Sequence, residues 1–269
     1  MPQPQVCTLF HWSTSIDADN TSILKADSNN VLSSSGPGRN SNRIQSKKQF
    51  GHNTVLVADI RHMPAGSPGP RSGLPKFPTG QVSRPLKFFP KTQCHLDNGE
   101  IDIIEGVNNG RDWASIINMM VPCALYQTLA PQLRMTAIGP SIATLVAVSQ
   151  QIRETLMDQV SIKLVVDAWF WSRSEGNIPA DVTTSGQTVI NTDNWGTPMA
   201  LFPNTQCDLS SKFGLNNQFI DNCGLGGDWA GGVYSNSGCP GSCVDFVNNN
   251  PSAFTEAYWD IAAIRMYGQ

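Results

Sequence analysis

Residues 99–109 read Gly99-Glu100-Ile101-Asp102-Ile103-Ile104-Glu105-Gly106-Val107-Asn108-Asn109. Isoleucines lie among acids here, and β-branched residues with alternating polar positions are typical of a half-buried strand. Charged residues make up only 14% of the 269 residues, so three acids in one short strand stand out. Residues two apart in a strand share a face, which places Glu100 and Asp102 together. The stretch therefore predicts a strand with an acidic face.

The third acid of the stretch needs an irregularity in the strand. Glu105 lies five positions after Glu100, and that odd spacing would place it on the opposite face. One β-bulge at Ile103–Ile104 restores the parity, and bulges are common beside active sites. With the bulge, the two glutamate Cα atoms are roughly 13 Å apart along the strand. Side chains leaning inward across a curved strand bring the carboxyls to about 5–5.5 Å, the separation typical of retaining glycosidases.

Three readings of the acidic face remain open from spacing alone. Carboxylates that share one face repel each other unless they are solvated, bind a metal or share protons. A solvated strand face is the plainest reading, and a calcium site is another because hard cations prefer carboxylates. Glycoside hydrolysis is the third, since it needs a nucleophile and an acid/base with a raised pKa.

The acid stretch resembles the signature of glycoside hydrolase family 16, in its fungal laminarinase-like branch. A second block of resemblance covers residues 30–48 and the segment Asp59-Ile60-Arg61-His62-Met63-Pro64. A third block runs from Trp169 to Tyr267 and carries five segments: 169–174, 191–198, 227–232, 238–251 and 256–261. The matching parts of the chain are thus about 28–64, 98–109 and 167–267.

The resemblance implies a fold, a reaction and roles for the three acids. The fold is all-β, a concanavalin-like β-jelly-roll sandwich of two curved antiparallel sheets, whose concave face holds a glucan. The roles are nucleophile for Glu100, general acid/base for Glu105 and assisting acid for Asp102. The implied reaction is retaining endo-hydrolysis of β-1,3 or mixed β-1,3/1,4 glucans, without a cofactor or a metal. The protein is expected to be an extracellular monomer that binds β-glucan polysaccharide.

Two segments, residues 65–97 and 110–166, depart from the family pattern. The first lacks the tryptophan-bearing strand that floors the sugar subsites in the family, and the second lacks the Thr-Leu-His-Thr strand. Apolar residues over 142–164 recur near a 3.6-residue period, after Ser141 as a candidate cap, which at face value predicts an amphipathic helix. We interpret both segments as products of a shifted reading frame, which predicts irregular or helical structure there. The alternative function is therefore a catalytically dead or glucan-binding relative.

Four side chains of the matching blocks are candidate sugar contacts. A tryptophan ring packs against the C–H face of a pyranose, which favours Trp195, in a turn-like loop, and Trp229. Asn108 directly follows the acid strand and is a candidate to hydrogen-bond sugar hydroxyls. Arg39 is expected to line the cleft by analogy with the family. The alternatives are a core position for either tryptophan, a turn for Asn108 and a solvated strand face for Arg39.

Length and composition fit one domain over residues 1–269, because a β-sandwich of this size often runs undivided. The net charge of −3 argues against a nucleic-acid partner. No run approaches the roughly 18 apolar residues of a membrane span. Residues 1–7 show no signal-peptide pattern, so the extracellular expectation comes from the family alone. With seven cysteines, at least one is unpaired if the rest bridge, and the candidates for disulfides are Cys207, Cys223, Cys239 and Cys243.

Overall fold

The fold is described from a computed structural model, at the residues that follow. They are 14–16, 22–36, 38–39, 42–45, 51–62, 82–90, 100–102, 106–107, 118–121, 124–126, 144–155, 161–173, 176–184, 189–202, 209–212, 216–222, 231–232, 234–237, 241–255 and 257–268. Strands dominate this part of the chain, and its helices are short.

The strands are β1 Thr14–Ile16, β2 Ser22–Lys25, β3 Asn42–Gln45, β4 Thr54–His62, β5 Val82–Pro90, β6 Glu100–Asp102, β7 Gly106–Val107, β8 Asn118–Val121, β9 Ala124–Tyr126, β10 Thr144–Thr155, β11 Ser161–Ser172, β12 Ala200–Phe202, β13 Asn216–Asn222 and β14 Tyr258–Gly268. The α-helices are α1 Ala180–Thr183, α2 Leu209–Lys212 and α3 Cys243–Asn249. Turns of 3-10 helix lie at Thr192–Trp195, Tyr234–Ser237 and Pro251–Phe254.

These strands form two antiparallel sheets. The first, sheet A, has the order β1-β2-β14-β4-β10-β11-β12. The second, sheet B, has the order β3-β13-β5-β6-β8-β9, and β7 also pairs with β5. The non-consecutive neighbours are typical of a jelly roll, in which long crossovers exchange strands between two packed sheets. The predicted jelly-roll sandwich is therefore confirmed.

The core between the sheets draws on both of them. Ile101 of β6, Leu24 of β2, Leu56 of β4 and Trp259 of β14 are almost completely buried. Strand alternation places Val55 and Val57 on the other face of β4. That face is covered too, because Val57 belongs to a second apolar cluster with Trp169, Trp171, Val182 and Trp195. Sheet A is thus buried on both of its faces over this region.

The helix predicted over residues 142–164 is wrong. Strands β10 and β11 form a long antiparallel hairpin in which Thr144 pairs with Ser172 and Thr155 pairs with Ser161. On its other side β10 pairs with β4, whose residues Val55 to Ala58 are all buried. A strand that is covered on both faces carries apolar residues without strict alternation, so its pattern imitates a helical period.

The two departing segments also contribute to sheet B. Strand β5 lies within residues 65–97, while β8 and β9 lie within 110–166. Strand β5 pairs with β6 on one side and β13 on the other, and β8 covers the opposite edge of β6. The acid strand is therefore flanked by two strands, in segments for which the sequence analysis predicted irregular or helical structure.

Candidate active site

The acid strand lies in the middle of sheet B. Glu100 pairs with Met120 and Asp102 pairs with Asn118 of β8, while Asp102 pairs with Lys87 of β5 on the other side. Ile101, between the two acids, is fully buried. Because successive residues of a strand alternate between faces, positions 100 and 102 lie on the face directed away from the core. The strand predicted at Glu100–Asp102 is confirmed.

The predicted bulge at Ile103–Ile104 and the third acid, Glu105, lie outside the described residues. The pairing on either side of them is described. Strand β5 pairs in one continuous register with both flanking segments, since Lys87 faces Asp102 and Ser83 faces Gly106. Against β13, however, β5 carries one extra residue between positions 84 and 87, at a register shift between Phe219 and Asp221.

From Ser83 to Lys87 and from Gly106 back to Asp102 the two strands advance by equal steps. The register shift therefore concerns β5 and β13, and the bulge predicted at Ile103–Ile104 stays a prediction.

Trp195 lies in the core and does not form part of a cleft wall. Its ring is 5% exposed and packs edge-on against Trp169 and Trp171, with ring centroids 5.2 and 5.7 Å away. Its Nε1 donates a hydrogen bond of 2.8 Å to Asp181 Oδ1. This cluster covers the outer face of sheet A, so the prediction that Trp195 contacts a sugar is wrong. The 3-10 turn over 192–195 buries the ring that the turn-like sequence suggested was exposed.

Arg39 is also an interior residue, because its side chain is fully buried. Its Nε donates a hydrogen bond to the carbonyl of Val247 at 2.8 Å, and its Nη2 donates one to the carbonyl of Asn248 at 3.2 Å. Its Nη1 lies 3.3 Å from the Asp27 carboxylate, and its guanidinium lies over the Phe254 ring. Arg39 thus ties the chain after β2 to the last turn of α3, and the prediction that it lines the cleft is wrong.

The charges around Arg39 perturb each other. Burial raises the pKa of Asp27, but hydrogen bonds from the Asn29 backbone and from Asn30, with the Arg39 charge, outweigh burial and leave that pKa below its ordinary 3.8. Burial lowers the pKa of the Arg39 guanidinium, and the Asp27 charge offsets part of this. The pair is therefore ionised at neutral pH and stabilises the loop that it closes.

A second set of charges occupies one end of the outer face of sheet A. Arg61 contacts Asp260 through Nε at 3.0 and 3.1 Å, and Arg173 forms an ion pair with Asp59. Burial lowers the pKa of Arg173, against the raising effect of the Asp260 charge. These residues share a face with the Trp169 cluster, so they belong to the side of sheet A that is turned away from sheet B.

Two predicted sugar contacts, Trp229 and Asn108, lie outside the described residues and stay predictions. The same holds for disulfides that involve Cys207, Cys223 and Cys239, while Cys243 is buried at the start of α3. Among the described helices, none is long and apolar enough to cross a membrane.

A jelly roll of two antiparallel sheets, with an acidic strand in the middle of one sheet, defines the class of jelly-roll glycoside hydrolases. The chain matches the XgeA-like, catalytic GH16 domain over residues 6–73 and 159–267. It therefore belongs to glycoside hydrolase family 16. The acid strand lies between the two matched ranges, in residues that this comparison leaves out.

Two relatives that align with most of this chain are named as a glycosidase and a glucanase. The chain is 33% identical to a probable glycosidase of Schizosaccharomyces pombe over 91% of its own length and 57% of that protein. It is 32% identical to a probable endo-1,3(4)-beta-glucanase of Aspergillus niger over 94% of its length and 34% of that protein. The chain thus spans between about a third and somewhat over half of these relatives.

The solved structure of a laminarinase also aligns with this chain. Laminarinase 16A from Phanerochaete chrysosporium, with 6-O-glucosyl-laminaritriose in both donor and acceptor sites, aligns at a TM-score of 0.70 and 36% identity. The alignment covers 93% of this chain and 84% of the laminarinase. A GH16 β-1,3-glucosyltransferase reaches the same TM-score at 24% identity, which shows the shared fold.

Proposed function

We propose that this chain is a retaining endo-β-glucanase that hydrolyses β-1,3 or mixed β-1,3/1,4 linkages of glucans. The observation that carries the proposal is the acid strand, with Glu100 and Asp102 on the outward face of sheet B in a family 16 jelly roll. Two relatives support the glucan substrate: the Aspergillus niger protein named for endo-1,3(4)-β-glucanase activity and the laminarinase that holds β-glucans.

The roles follow from what a retaining mechanism requires of two carboxyls. Glu100 attacks the anomeric carbon and forms a glycosyl–enzyme ester, while Glu105 gives its proton to the departing glycosidic oxygen. Glu105 then takes a proton from water, which attacks the same carbon and releases Glu100. The negative charge of Glu100 raises the pKa of Glu105 and so keeps it protonated for the first step. Asp102, between them, orients Glu100.

The proposed mechanism needs Glu105 on the same face as the other two acids. The bulge predicted at Ile103–Ile104 changes the parity of the strand by one, which is the shift that Glu105 needs. Glutamates on one face of a curved strand fit the separation of about 5–5.5 Å in retaining enzymes.

Release of reducing ends from laminarin and from lichenan tests the proposal. Glu100→Gln and Glu105→Gln should each lower the rate by at least about a hundredfold, the usual scale for loss of a catalytic proton donor or nucleophile. Asp193→Asn is the matched control, because Asp193 is exposed in the turn that covers the outer face of sheet A. Activity that survives both glutamine substitutions contradicts the assigned roles.

The same assay separates hydrolysis from the alternative of a dead or glucan-binding relative. A folded protein that binds laminarin but releases no reducing ends would be the binding form. We further propose that the protein acts outside the cell, since its glucan substrate is a polysaccharide, and that it is a monomer, as the family resemblance implies. Gel filtration and fractionation of the producing cells test these two expectations.

A further inference from the structure

The β2–β3 crossover, of which residues 26–36 and 38–39 are described, links sheet A to sheet B. It leaves sheet A after Lys25, which pairs with Tyr258 of β14. It enters sheet B at Asn42, the first residue of β3, and β3 is the edge strand of that sheet. The crossover thus leads to the sheet that holds the acid strand.

The strand pairing of sheet B shows which end of the acid strand lies on the side of this crossover. The start of β3 lies beside the end of β13, where Asp221 pairs with Arg84 of β5. One residue before Arg84, Ser83 pairs with Gly106, which directly follows Glu105. Three inter-strand steps of about 4.8 Å separate β3 from the acid strand, so the crossover enters sheet B roughly 14 Å to the side of that strand.

Hydrogen bonds within the fold fix the backbone of the β2–β3 crossover. The Asp27 carboxylate accepts hydrogen bonds from the backbone N–H groups of Asn29 and Asn30, at 2.9 and 3.3 Å. The backbone N–H of Leu32 donates to a carbonyl of α3 at 2.9 Å, and the buried Arg39 ties the far end of the crossover to the same helix. A loop that is already held in one conformation loses little conformational entropy when it binds a ligand.

The side chains that this fixed crossover exposes to solvent are uncharged. They include two amides and three hydroxyls, those of Asn29, Asn30, Ser33, Ser34 and Ser35. Between them lies Val31, whose side chain is 66% exposed. Amides and hydroxyls form hydrogen bonds with sugar hydroxyls, and an exposed aliphatic group gains from packing against the C–H groups of a pyranose. This combination suits an uncharged polysaccharide.

We propose that residues 29–35 of the β2–β3 crossover form an outer subsite, which binds sugar units of a long glucan chain away from the point of cleavage. The inference rests on the proposed function for its substrate, because that function places the glucan across the outward face of sheet B. A short oligosaccharide that is bound over the acid strand does not extend to β3, whereas a polymer does. The outer subsite therefore favours long chains over short ones.

Hydrolysis of long and short glucans measures this preference as the ratio of kcat/KM for laminarin to kcat/KM for the β-1,3-linked tetrasaccharide. Val31→Glu should lower the ratio about tenfold, because a charge in contact with an uncharged chain loses its hydration. Asn29→Ala keeps the backbone N–H that Asp27 accepts and should lower the ratio about threefold. Val189→Glu is the matched control, since this valine is 76% exposed beside Ile190 on the outer face of sheet A, and should leave the ratio unchanged. A ratio that neither Val31→Glu nor Asn29→Ala changes overturns the inference.

Retardation in a native gel that contains laminarin, relative to a gel without it, tests the subsite without requiring activity. The protein is used as Glu100→Gln, which lacks the proposed nucleophile, so that the polymer stays intact. Adding Val31→Glu should reduce the retardation, whereas adding Val189→Glu, which brings the same charge, should not. No retardation of Glu100→Gln, or retardation that Val31→Glu leaves unchanged, contradicts the subsite. If the unsubstituted protein releases no reducing ends, the proposed function fails, while the gel still decides whether this crossover binds glucan.

Discussion

At the scale of single residues, buried polar side chains explain where reasoning from the sequence went wrong. The sequence analysis predicts a sugar contact for Trp195 from its residue type and its turn-like loop, and a cleft position for Arg39 by family analogy. Both side chains are instead buried and hydrogen-bonded within the fold. The partners of Arg39 are carbonyls about two hundred positions away in the chain, at Val247 and Asn248. No local pattern identifies such partners, because they depend on tertiary contacts.

The Asp27–Arg39 pair predicts a pH dependence of stability. The pKa of Asp27 is lower in the folded chain than its ordinary 3.8, so its charge stabilises the fold above that pH. This stabilisation is lost as pH falls through the lower folded value. Asp27→Asn should therefore lower the thermal midpoint at about pH 6, and the gap to the unsubstituted protein should shrink toward about pH 2.5. A gap of constant size over this range contradicts the role of the charge.

Trp195→Phe tests whether this tryptophan belongs to the core. The substitution removes ring volume from the cluster with Trp169 and Trp171 and leaves Asp181 Oδ1 without its donor. We expect unfolding by urea to show a loss of about 2–4 kcal/mol. The KM for laminarin should stay the same, since the ring lies on the outer face of sheet A. An increase in KM with unchanged stability would restore the sugar-binding interpretation.

At the scale of elements, a strand in a sheet that is covered on both faces is harder to recognise from sequence than a strand with one face turned outward. The acid strand showed a clear alternation because one of its faces is turned away from the core. Strand β10 did not, because both faces of sheet A are covered at β4, the strand with which β10 pairs. The pairing of β5 with the acid strand was equally invisible, since register depends on strands distant in sequence.

An engineered disulfide distinguishes the β10–β11 hairpin from a helix over the same residues. Thr155 and Ser161 are directly opposite each other in the hairpin. Opposed strand positions lie about 4.5–5.5 Å apart at Cα, within the range that a disulfide spans, whereas residues six apart in a helix are further apart. Thr155→Cys with Ser161→Cys should cross-link, as mass spectrometry of the tryptic peptides would show.

The matched control shifts the second cysteine by one residue. Thr155→Cys with Ile162→Cys places the two thiols on opposite faces of the hairpin and should not cross-link. Equal cross-linking of both pairs, or of neither, contradicts the register of the hairpin.

At the scale of the whole molecule, the two sheets of the jelly roll differ in what covers their outer faces. Sheet A is covered on both faces, on the outside by the cluster of Val182 and Trp195. Sheet B presents charged positions outward, among them Glu100, Asp102 and Lys87. Family resemblance predicted this architecture from short motifs, since those motifs lie where the fold constrains sequence most. The segments that departed from the motifs still form strands, because sheet pairing tolerates many sequences.

The stereochemistry of hydrolysis tests whether the protein is a retaining β-glucanase. Laminarin is digested in deuterated buffer, and the first reducing ends are followed by 1H NMR before they mutarotate. A nucleophile and an acid/base on one strand face predict that the β-anomer appears first and the α-anomer grows later. First appearance of the α-anomer contradicts a retaining mechanism, and no release of reducing ends by the folded protein contradicts glucanase activity.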